Sequence, residues 1–297
     1  YVLRRKPPGT LLPSAHAIER EYRVMSALEP TAVPVPRMLH LCEDDSVIGT
    51  AFFVMEYLDG RSFHDPILPG LSPPERGRIY EAMAETLAAL HELCPEEQGL
   101  EDFGRTGDYF ARQLARWTKQ YRYSQTRDLP AMEKLIAWLE CERPEDDGQV
   151  SVIHGDYRVE NILFDPAVPR IIGVVDWELS TLGHPFADLA YQCMRWRLPR
   201  DRDFCGLGDI DRFSHGIPTE QAYVAAYCRR RGLSGIANWT FCIAFSAFRL
   251  AAILQGVHKR ALDGNASNPE RGRRLGAAVP RLAAMALQEA ETGQSQI

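Results

Sequence analysis

Three polar residues near the middle of the chain follow short apolar runs and have side chains suited to metal and phosphate chemistry. Asp156 and Asn161 lie five residues apart in a loop after the apolar run 151–153, and Asp176 ends the apolar run 171–175. Short strands on either side of such a loop hold polar groups in fixed positions. Carboxylate and amide oxygens suit Mg²⁺, which shares its coordination shell with phosphate and water. These residues therefore outline a site for phosphoryl transfer.

The elements before this loop change character along the chain. Residues 1–4 alternate like a strand, with Val2 and Arg4 on one face. A helix is predicted from the capping residue Ser14 to about Glu29, and Glu21 falls within its apolar stripe. Because a carboxylate on a buried face needs a partner, Glu21 either pairs with a cation or reaches solvent. Further strands are predicted over 37–42, 51–55, 151–153, 162–164 and 171–175, and helices dominate after residue 60.

Local signals mark the ends of some of these helices. A capping box over 72–75 begins one helix, and Thr219 caps another that ends at Gly232. A last helix is expected from about Arg273 to Glu291, whereas residues 179–188 have the composition of a loop.

The segments 154–161 (HGDYRVEN) and 175–178 (VDWE) resemble the signature of the aminoglycoside phosphotransferase-like kinases, which are relatives of protein kinases. Residues 1–9, 183–190 and 248–253 resemble the branch related to the kinase-like domain that is fused to some acyl-CoA dehydrogenases. The resemblance implies an α+β fold of the bilobal protein-kinase type, with a small antiparallel-sheet N-lobe and a larger, mostly helical C-lobe. The composition shift near the end of the third predicted strand assigns these lobes to residues 1–58 and 59–297.

The same resemblance implies a role for each motif residue in moving the γ-phosphoryl group of ATP or GTP to a hydroxyl of a small molecule. Asp156 would accept or orient the proton of that hydroxyl, while Asn161 and Asp176 would hold Mg²⁺. Arg158 either neutralises charge on the transferred group or pairs with Glu160 as a structural arginine. Since Asp156 is available as the base, we expect His154 to brace the loop.

Nucleotide binding is assigned by the resemblance to residues of the N-lobe and the hinge that ends it. Arg4 stands where kinases usually have a lysine, and Glu21 would pair with it, although Lys6 points the same way if the strand continues. The Glu56 carbonyl and the Leu58 amide are the candidates for holding adenine. In the C-lobe, Asp188 resembles an aspartate that braces the family's catalytic loop, which corresponds here to residues 154–161.

The acceptor is less constrained by the sequence. Arg195, Arg197 and Arg249 would line an acceptor pocket and suit a carboxylate or phosphate group, or they are rim charges and a buried ion pair. By analogy with the branch it resembles, the acceptor is expected to be a hydroxy acid or a hydroxyacyl-CoA.

Two departures from the kinase pattern motivate alternatives from other classes. The phosphate-covering glycine-rich hairpin would precede Tyr1, so we expect the chain to be part of a longer protein. The arginine at position 4 admits a kinase-like nucleotide-binding module with little or no turnover. A two-metal phosphohydrolase is the third possibility, and its cluster would comprise His154, Asp156, Asp176, His184 and Asp188.

Composition limits the partners and the setting. The chain has 297 residues, 45% hydrophobic and 25% charged, with a formal net charge of −6. This charge argues against nucleic acid or an anionic membrane surface as a partner. Its seven cysteines form no Cys-x-x-Cys pair, which favours a reduced, cytoplasmic setting without a disulfide framework or zinc site. The apolar stretch 239–257 contains Arg249 and Gln255 and is expected to be a buried helix rather than a membrane span.

Overall fold

A computed structural model of the chain describes residues 1–6, 17–265, 268–293 and 297. The strands, in chain order, are β1 (Val2–Arg5), β2 (Met38–Cys42), β3 (Phe52–Met55), β4 (Ser151–Ile153), β5 (Ile162–Phe164), β6 (Ile171–Val174) and β7 (Thr181–Gly183). The helices are α1 (Ile18–Leu28), α2 (Pro73–Glu92), α3 (Tyr109–Ser124), α4 (Pro130–Cys141), α5 (Phe186–Cys193), α6 (Arg212–His215), α7 (Glu220–Arg231), α8 (Trp239–Leu262) and α9 (Pro269–Thr292).

The chain divides into two compact units. Unit 1 comprises Tyr1–Arg105, Val150–Gln192 and Asp211–Ser234, and unit 2 comprises Thr106–Gln149, Cys193–Ile210 and Gly235–Ile297. The predicted N-terminal strands and the predicted catalytic loop therefore both belong to unit 1. The lobe boundary at residue 58 stays a prediction.

The N-terminal part of unit 1 is a three-stranded antiparallel sheet in the order β1-β3-β2. Arg4 lies opposite Phe53, and Val2 and Arg4 share the less exposed face of β1, as the alternation predicts. Helix α1 packs on β2 and β3 through a stripe of buried residues. Glu21 is one of the residues in this stripe. The predicted cap Ser14 lies outside the described residues.

Two short antiparallel pairs form the framework of the central loop. Strand β5 pairs with β6, with Ile162 opposite Val174, and β4 pairs with β7, with Val152 opposite Leu182. The sequence predicts β4, β5 and β6 but treats residues 179–188 as a loop. That expectation is wrong at β7, because a three-residue strand that ends in glycine has no alternating pattern, and only the distant partner β4 completes it.

Helix α2 runs through the interior of unit 1 and packs against α7 and β4. It begins with the predicted capping box, in which the Ser72 side chain accepts from the Glu75 amide and the Glu75 side chain accepts from the Ser72 amide. Helix α7 has the predicted cap Thr219 and ends at Gly232, which adopts a left-handed φ of 66°. Local capping signals therefore mark the start of both helices and the end of α7.

Unit 2 is helical and is built on α8, which packs against α3, α4 and α9. Helix α8 is long and apolar enough to cross a membrane, but 78% of its most apolar window is buried inside the protein. Its burial among the other helices supports the expected core role. Helix α9 begins at Pro269, earlier than the expected start near Arg273, because proline is well suited to the first helical turn.

Candidate active site

The loop between β4 and β5 is held by a tight turn at Gly155. This residue has a φ of +82°, and a Cβ built on it would lie 2.6 Å from the Leu179 carbonyl oxygen. Only glycine satisfies both the left-handed backbone and the close approach. The turn directs the next residue, Asp156, to a position where its side chain is only partly exposed.

Two side chains of the same loop fix the Asp156 carboxylate. Asn161 Nδ2 donates to Asp156 Oδ2 at 2.9 Å and to the Asp156 carbonyl at 2.9 Å. Arg158 Nε donates to the same Oδ2 at 3.0 Å, and Arg158 Nη1 lies 3.4 Å from Glu160 Oε1. The pair with Glu160 that a structural arginine would make is thus present, and the role of Arg158 at the transferred group stays a prediction. Because both partners of the Asn161 amide are acceptors, its nitrogen faces Asp156 and its oxygen remains for another ligand.

The β5–β6 hairpin brings Asn161 and Asp176 to the same end of a strand pair. The Val175 amide donates to the Asn161 carbonyl at 2.9 Å, immediately before Asp176. Asp176 adopts a left-handed φ of 67°, which is uncommon for a residue with a side chain. An amide oxygen and a carboxylate at one strand-pair end form a donor set that fits Mg²⁺, with phosphate and water as the other ligands.

Arg4 joins the N-terminal sheet to this end of the hairpin. Its Nε lies 2.8 Å from Glu21 Oε2, so the predicted ion pair with α1 is present. Its Nη2 lies 3.2 Å from Asp176 Oδ1 and 3.4 Å from Glu178 Oε2. One guanidinium therefore contacts carboxylates from α1 and from the segment after β6, and its Nε adds a second contact with Glu21.

Burial changes the protonation of the carboxylate on α1. Glu21 is almost fully buried, and this burial raises the pKa of its carboxyl to about 7, although the Arg4 guanidinium opposes the rise. Near neutral pH the charge of Glu21 therefore depends on keeping Arg4 in place.

The predicted hinge follows β3 and packs on the β5–β6 hairpin. The Glu56 amide donates to the Arg37 carbonyl at 2.9 Å, and the Leu58 carbonyl accepts from the Gly60 amide at 2.9 Å. The Leu58 side chain occupies the space where a Cβ of Gly173 would lie. These contacts leave the Glu56 carbonyl and the Leu58 amide as the candidates for adenine.

His154 and Asp188 take bracing positions. Asp188 Oδ2 accepts from the His154 amide at 2.6 Å, and Asp188 Oδ1 accepts from the Gly155 amide at 2.8 Å. The His154 ring accepts from the Asp156 amide through Nδ1 at 3.2 Å, which leaves Nε2 to donate to the Val175 carbonyl at 3.0 Å. A histidine with both nitrogens used by the backbone supports the expectation of a brace rather than a base.

Each arginine proposed for the acceptor pocket has a contact within unit 2. Arg195 donates to the Phe204 carbonyl at 3.0 Å, Arg197 pairs with Glu289, and Arg249 lies over the Trp117 ring at 5.8 Å. These contacts suit structural arginines as well as pocket residues, so the acceptor role stays a prediction.

The two-metal cluster is not formed by the residues that the structure describes. Among them, no group of three or more His, Cys, Asp and Glu side chains is placed to hold a metal ion. His154 and Asp188 bond the backbone of the loop between β4 and β5, and His184 Nδ1 accepts from the Phe186 amide at 3.2 Å. The phosphohydrolase alternative therefore loses the geometry that it requires.

Sequence reasoning missed two residues that the structure brings to the site. Glu178 follows Asp176 by two residues and reaches Arg4, a position that its membership of the 175–178 motif could have indicated. His91 on α2 is fully buried beside Asp188, and its position near the end of an apolar helix face gave no local signal.

Comparison with known proteins gives the family. The model of the phosphotransferase enzyme family, APH, matches residues 1–239. Acyl-CoA dehydrogenase family member 10 of Mus musculus is 51% identical over 268 residues, which cover 90% of this chain and 25% of that protein. Family member 11 of Homo sapiens is 47% identical over 271 residues, which cover 91% of this chain and 35% of that protein. The chain thus spans a minor part of the length of these relatives.

A solved structure supports the same assignment. A Ralstonia eutropha crystal structure, provisionally described as an aminoglycoside phosphotransferase, matches with 46% identity and a TM-score of 0.90 over 97% of this chain and 85% of that one. The resemblance inferred from the motifs and the α+β kinase-like fold are confirmed. The chain therefore belongs to the phosphotransferase enzyme family.

Proposed function

We propose that the protein transfers the γ-phosphoryl group of ATP or GTP to a hydroxyl group of a small molecule. The observation that carries this proposal is the arrangement of one carboxylate, Asp156, fixed by Asn161, and a second, Asp176, held beside the Arg4–Glu21 ion pair. Phosphoryl transfer needs mainly positioning and charge neutralisation, and this arrangement supplies groups for both.

Asp156 serves the acceptor side of the reaction. Its Oδ2 is occupied by Asn161 and Arg158, so Oδ1 is the oxygen assigned to the proton of the acceptor hydroxyl. Orienting that hydroxyl in line with the phosphoryl group lowers the entropy cost of reaction, and accepting its proton makes the oxygen a better nucleophile. Arg158 holds the carboxylate in this orientation.

The donor side is assigned to residues of the N-terminal sheet and the hairpin end. The Arg4 guanidinium would bind phosphate oxygens while Glu21 holds it in place. Asn161 and Asp176 would hold Mg²⁺, which supplies charge neutralisation at the phosphates. The Glu56 carbonyl and the Leu58 amide would bind the base of the nucleotide.

The acceptor is proposed to be a hydroxy acid or a hydroxyacyl-CoA. The support is the similarity to acyl-CoA dehydrogenase family members, in whose longer chains this region is one part. The relation is an analogy between relatives, so the acceptor must be found by experiment.

Removal of the proposed base tests the assignment of Asp156. The Asp156→Asn variant keeps the shape of the side chain but cannot accept a proton, so phosphoryl transfer should fall at least about a hundredfold. ATP binding, measured by calorimetry, should stay within a few fold. Asp45→Asn, at an exposed turn, is the matched control and should retain activity. Turnover by Asp156→Asn at the wild-type rate would remove Asp156 from the mechanism.

A screen for ATP consumption identifies the acceptor class. Hydroxy acids, hydroxyacyl thioesters, amino alcohols, sugars and aminoglycosides are offered in turn, with Asp176→Asn as the blank. We expect consumption that depends on a hydroxylated carboxylate or thioester. ATP binding without consumption for every class would instead favour the nucleotide-binding module.

A further inference from the structure

A buried row of polar side chains leads from the end of α7 to the catalytic loop within unit 1. Asp188 is fully buried on α5 and binds the His154 and Gly155 amides. His91, on α2, lies behind it with Nε2 at 3.6 Å from Asp188 Oδ2. This distance is slightly longer than a hydrogen bond, so the contact is an electrostatic one between an N–H group and a carboxylate.

The row continues outward through a tyrosine and an arginine. His91 Nδ1 lies 2.9 Å from the hydroxyl of Tyr227, a buried residue of α7. The same hydroxyl accepts from Nη1 of Arg231, the last residue of α7, at 3.2 Å. Arg231 is partly exposed, so the row joins the protein surface to the loop that carries Asp156.

The donors and acceptors of this row have a single consistent direction. Because His91 Nε2 faces the Asp188 carboxylate, the neutral His91 ring carries its proton on Nε2. Nδ1 then accepts from the Tyr227 hydroxyl, which itself accepts from Arg231 Nη1. Burial raises the pKa of Tyr227 and lowers the pKa of His91, which agrees with a protonated phenol and a neutral imidazole. The carboxylate is thereby left to accept from both loop amides.

An apolar set of side chains would pack here at a lower desolvation cost. A buried carboxylate, imidazole and phenol are unfavourable unless their polar atoms are satisfied by one another. Burial opposes the ionisation of Asp188, but the His91 contact and the loop amides hold its pKa below the usual range. This arrangement stabilises the backbone turn at Gly155, which immediately precedes Asp156.

We propose that His91 and Tyr227 are positioning residues for the catalytic loop and act through Asp188. The importance of this positioning for turnover rests on the proposed phosphotransferase function, whereas the effect on the loop itself does not. His91 orients the carboxylate, Tyr227 fixes the tautomer of His91, and the two loop amides keep Asp156 in its place.

Hydrogen exchange of the peptide that covers residues 152–158 tests the effect on the loop. Tyr227→Phe removes only the hydroxyl, and His91→Leu removes the contact with Asp188 at similar volume. His91→Gln retains an amide donor near the position of Nε2. Tyr80→Phe is the matched control, because Tyr80 is also fully buried in unit 1 and its hydroxyl bonds the Pro66 carbonyl at 2.6 Å. All variants are compared in the absence of nucleotide, with the exchange of a peptide from α2 as the measure of global opening.

We expect exchange in the loop peptide to rise roughly tenfold in His91→Leu and severalfold in Tyr227→Phe, relative to the α2 peptide. His91→Gln should restore part of the protection, and Tyr80→Phe should leave it unchanged. Equal changes in the loop and α2 peptides, or unchanged loop exchange in Tyr227→Phe, would overturn the proposal. A wild-type protein that consumes no ATP would overturn the proposed function but would leave this exchange pattern intact.

With an acceptor from the screen, the turnover number of Tyr227→Phe should fall severalfold while the KM for ATP stays within twofold. This split is expected because Asp156 directly follows the turn at Gly155, whereas Arg4, Glu56 and Leu58, which are assigned to the nucleotide, lie on other elements. Faster loop exchange with unchanged turnover would show that the row does not position the base.

Discussion

The guanidinium of Arg4 contacts carboxylates through two of its nitrogens, whereas the lysine that kinases usually have at this place has one nitrogen in its side chain. Nε contacts Glu21 at 2.8 Å, and Nη2 contacts Asp176 at 3.2 Å and Glu178 at 3.4 Å. A lysine ammonium has a single nitrogen and could not make the separate Nε contact with Glu21 while its nitrogen faces Asp176. Arginine at this position therefore links α1 directly to the predicted metal ligand.

The raised pKa of Glu21 predicts how stability depends on pH. The ordinary carboxyl pKa is 4.5, and the folded-state pKa is about 7, so the folded chain retains a proton that the unfolded chain loses between these values. The stability contribution of Glu21 is therefore fully present below about pH 4.5 and is lost as the pH rises through about 7. The side chain in Glu21→Gln does not titrate. As the pH rises from 5 to 8, the free energy of unfolding of the wild type should therefore fall relative to that of Glu21→Gln.

Urea unfolding at unit steps of pH measures this difference. Glu19→Gln, the same substitution on the exposed side of α1, is the matched control. A pH dependence that is identical for Glu21→Gln and Glu19→Gln would contradict the role given to burial.

At the scale of elements, the loop between β4 and β5 packs against a strand that follows it by some twenty residues. Strand β7 pairs with β4 immediately before the loop, and the Leu179 carbonyl just ahead of β7 packs against Gly155. The loop is thus enclosed on both sides by the β4–β7 pair and by the β5–β6 hairpin. Strand pairs on both sides restrict the backbone positions that the loop can adopt.

Substitution of Gly155 tests this enclosure. Gly155→Ala places a methyl group 2.6 Å from the Leu179 carbonyl oxygen and also strains a left-handed backbone. Gly99→Ala is the matched control, since Gly99 has a φ of +65° and nothing within 4 Å of a built Cβ. Backbone strain alone costs about 1–2 kcal/mol, so Gly99→Ala should lose about that much in the free energy of unfolding.

Gly155→Ala should lose more stability than Gly99→Ala and should also lose phosphoryl transfer, because the turn carries Asp156. Urea unfolding and the ATP consumption assay measure the two effects. Equal losses of stability in the two variants would show that the contact with Leu179 is unimportant.

At the scale of the whole molecule, unit 2 has its own core. Phe241 on α8 is 2% exposed, and its ring meets Phe110 at 5.2 Å and Phe245 at 6.2 Å between ring centres. Aromatic side chains of this size contribute most of the apolar area that such a core buries. Burial in this core accounts for the long apolar sequence of α8.

Truncation of this core should be costly. Phe241→Ala should lower the free energy of unfolding by about 3–5 kcal/mol, because it leaves a cavity that close packing cannot refill. Phe213→Ala is chemically the same change at a side chain that is 96% exposed, and it should have almost no effect. Chemical denaturation of both variants measures the difference, and a loss below 1 kcal/mol in Phe241→Ala, about the level of a surface substitution, would contradict a tightly packed core.

The sequence by itself determined the local elements and the identity of the loop residues. Alternation in residues 1–4, capping boxes and helical periodicity predicted most strands and helices, because these signals arise from contacts within a few residues. The spacing of Asp156, Asn161 and Asp176 indicated phosphoryl chemistry because few residue types can bind a hard cation beside phosphate.

Only the tertiary structure decided which distant residues meet. The pairing of β7 with β4, the contact of Glu178 with Arg4, and the position of His91 behind Asp188 join segments that are far apart in the chain. No local period records such contacts, because they depend on how whole elements pack and on which buried polar groups then satisfy one another. The sequence therefore indicated the chemistry proposed for the loop, and the packing of unit 1 specified what holds that loop in place.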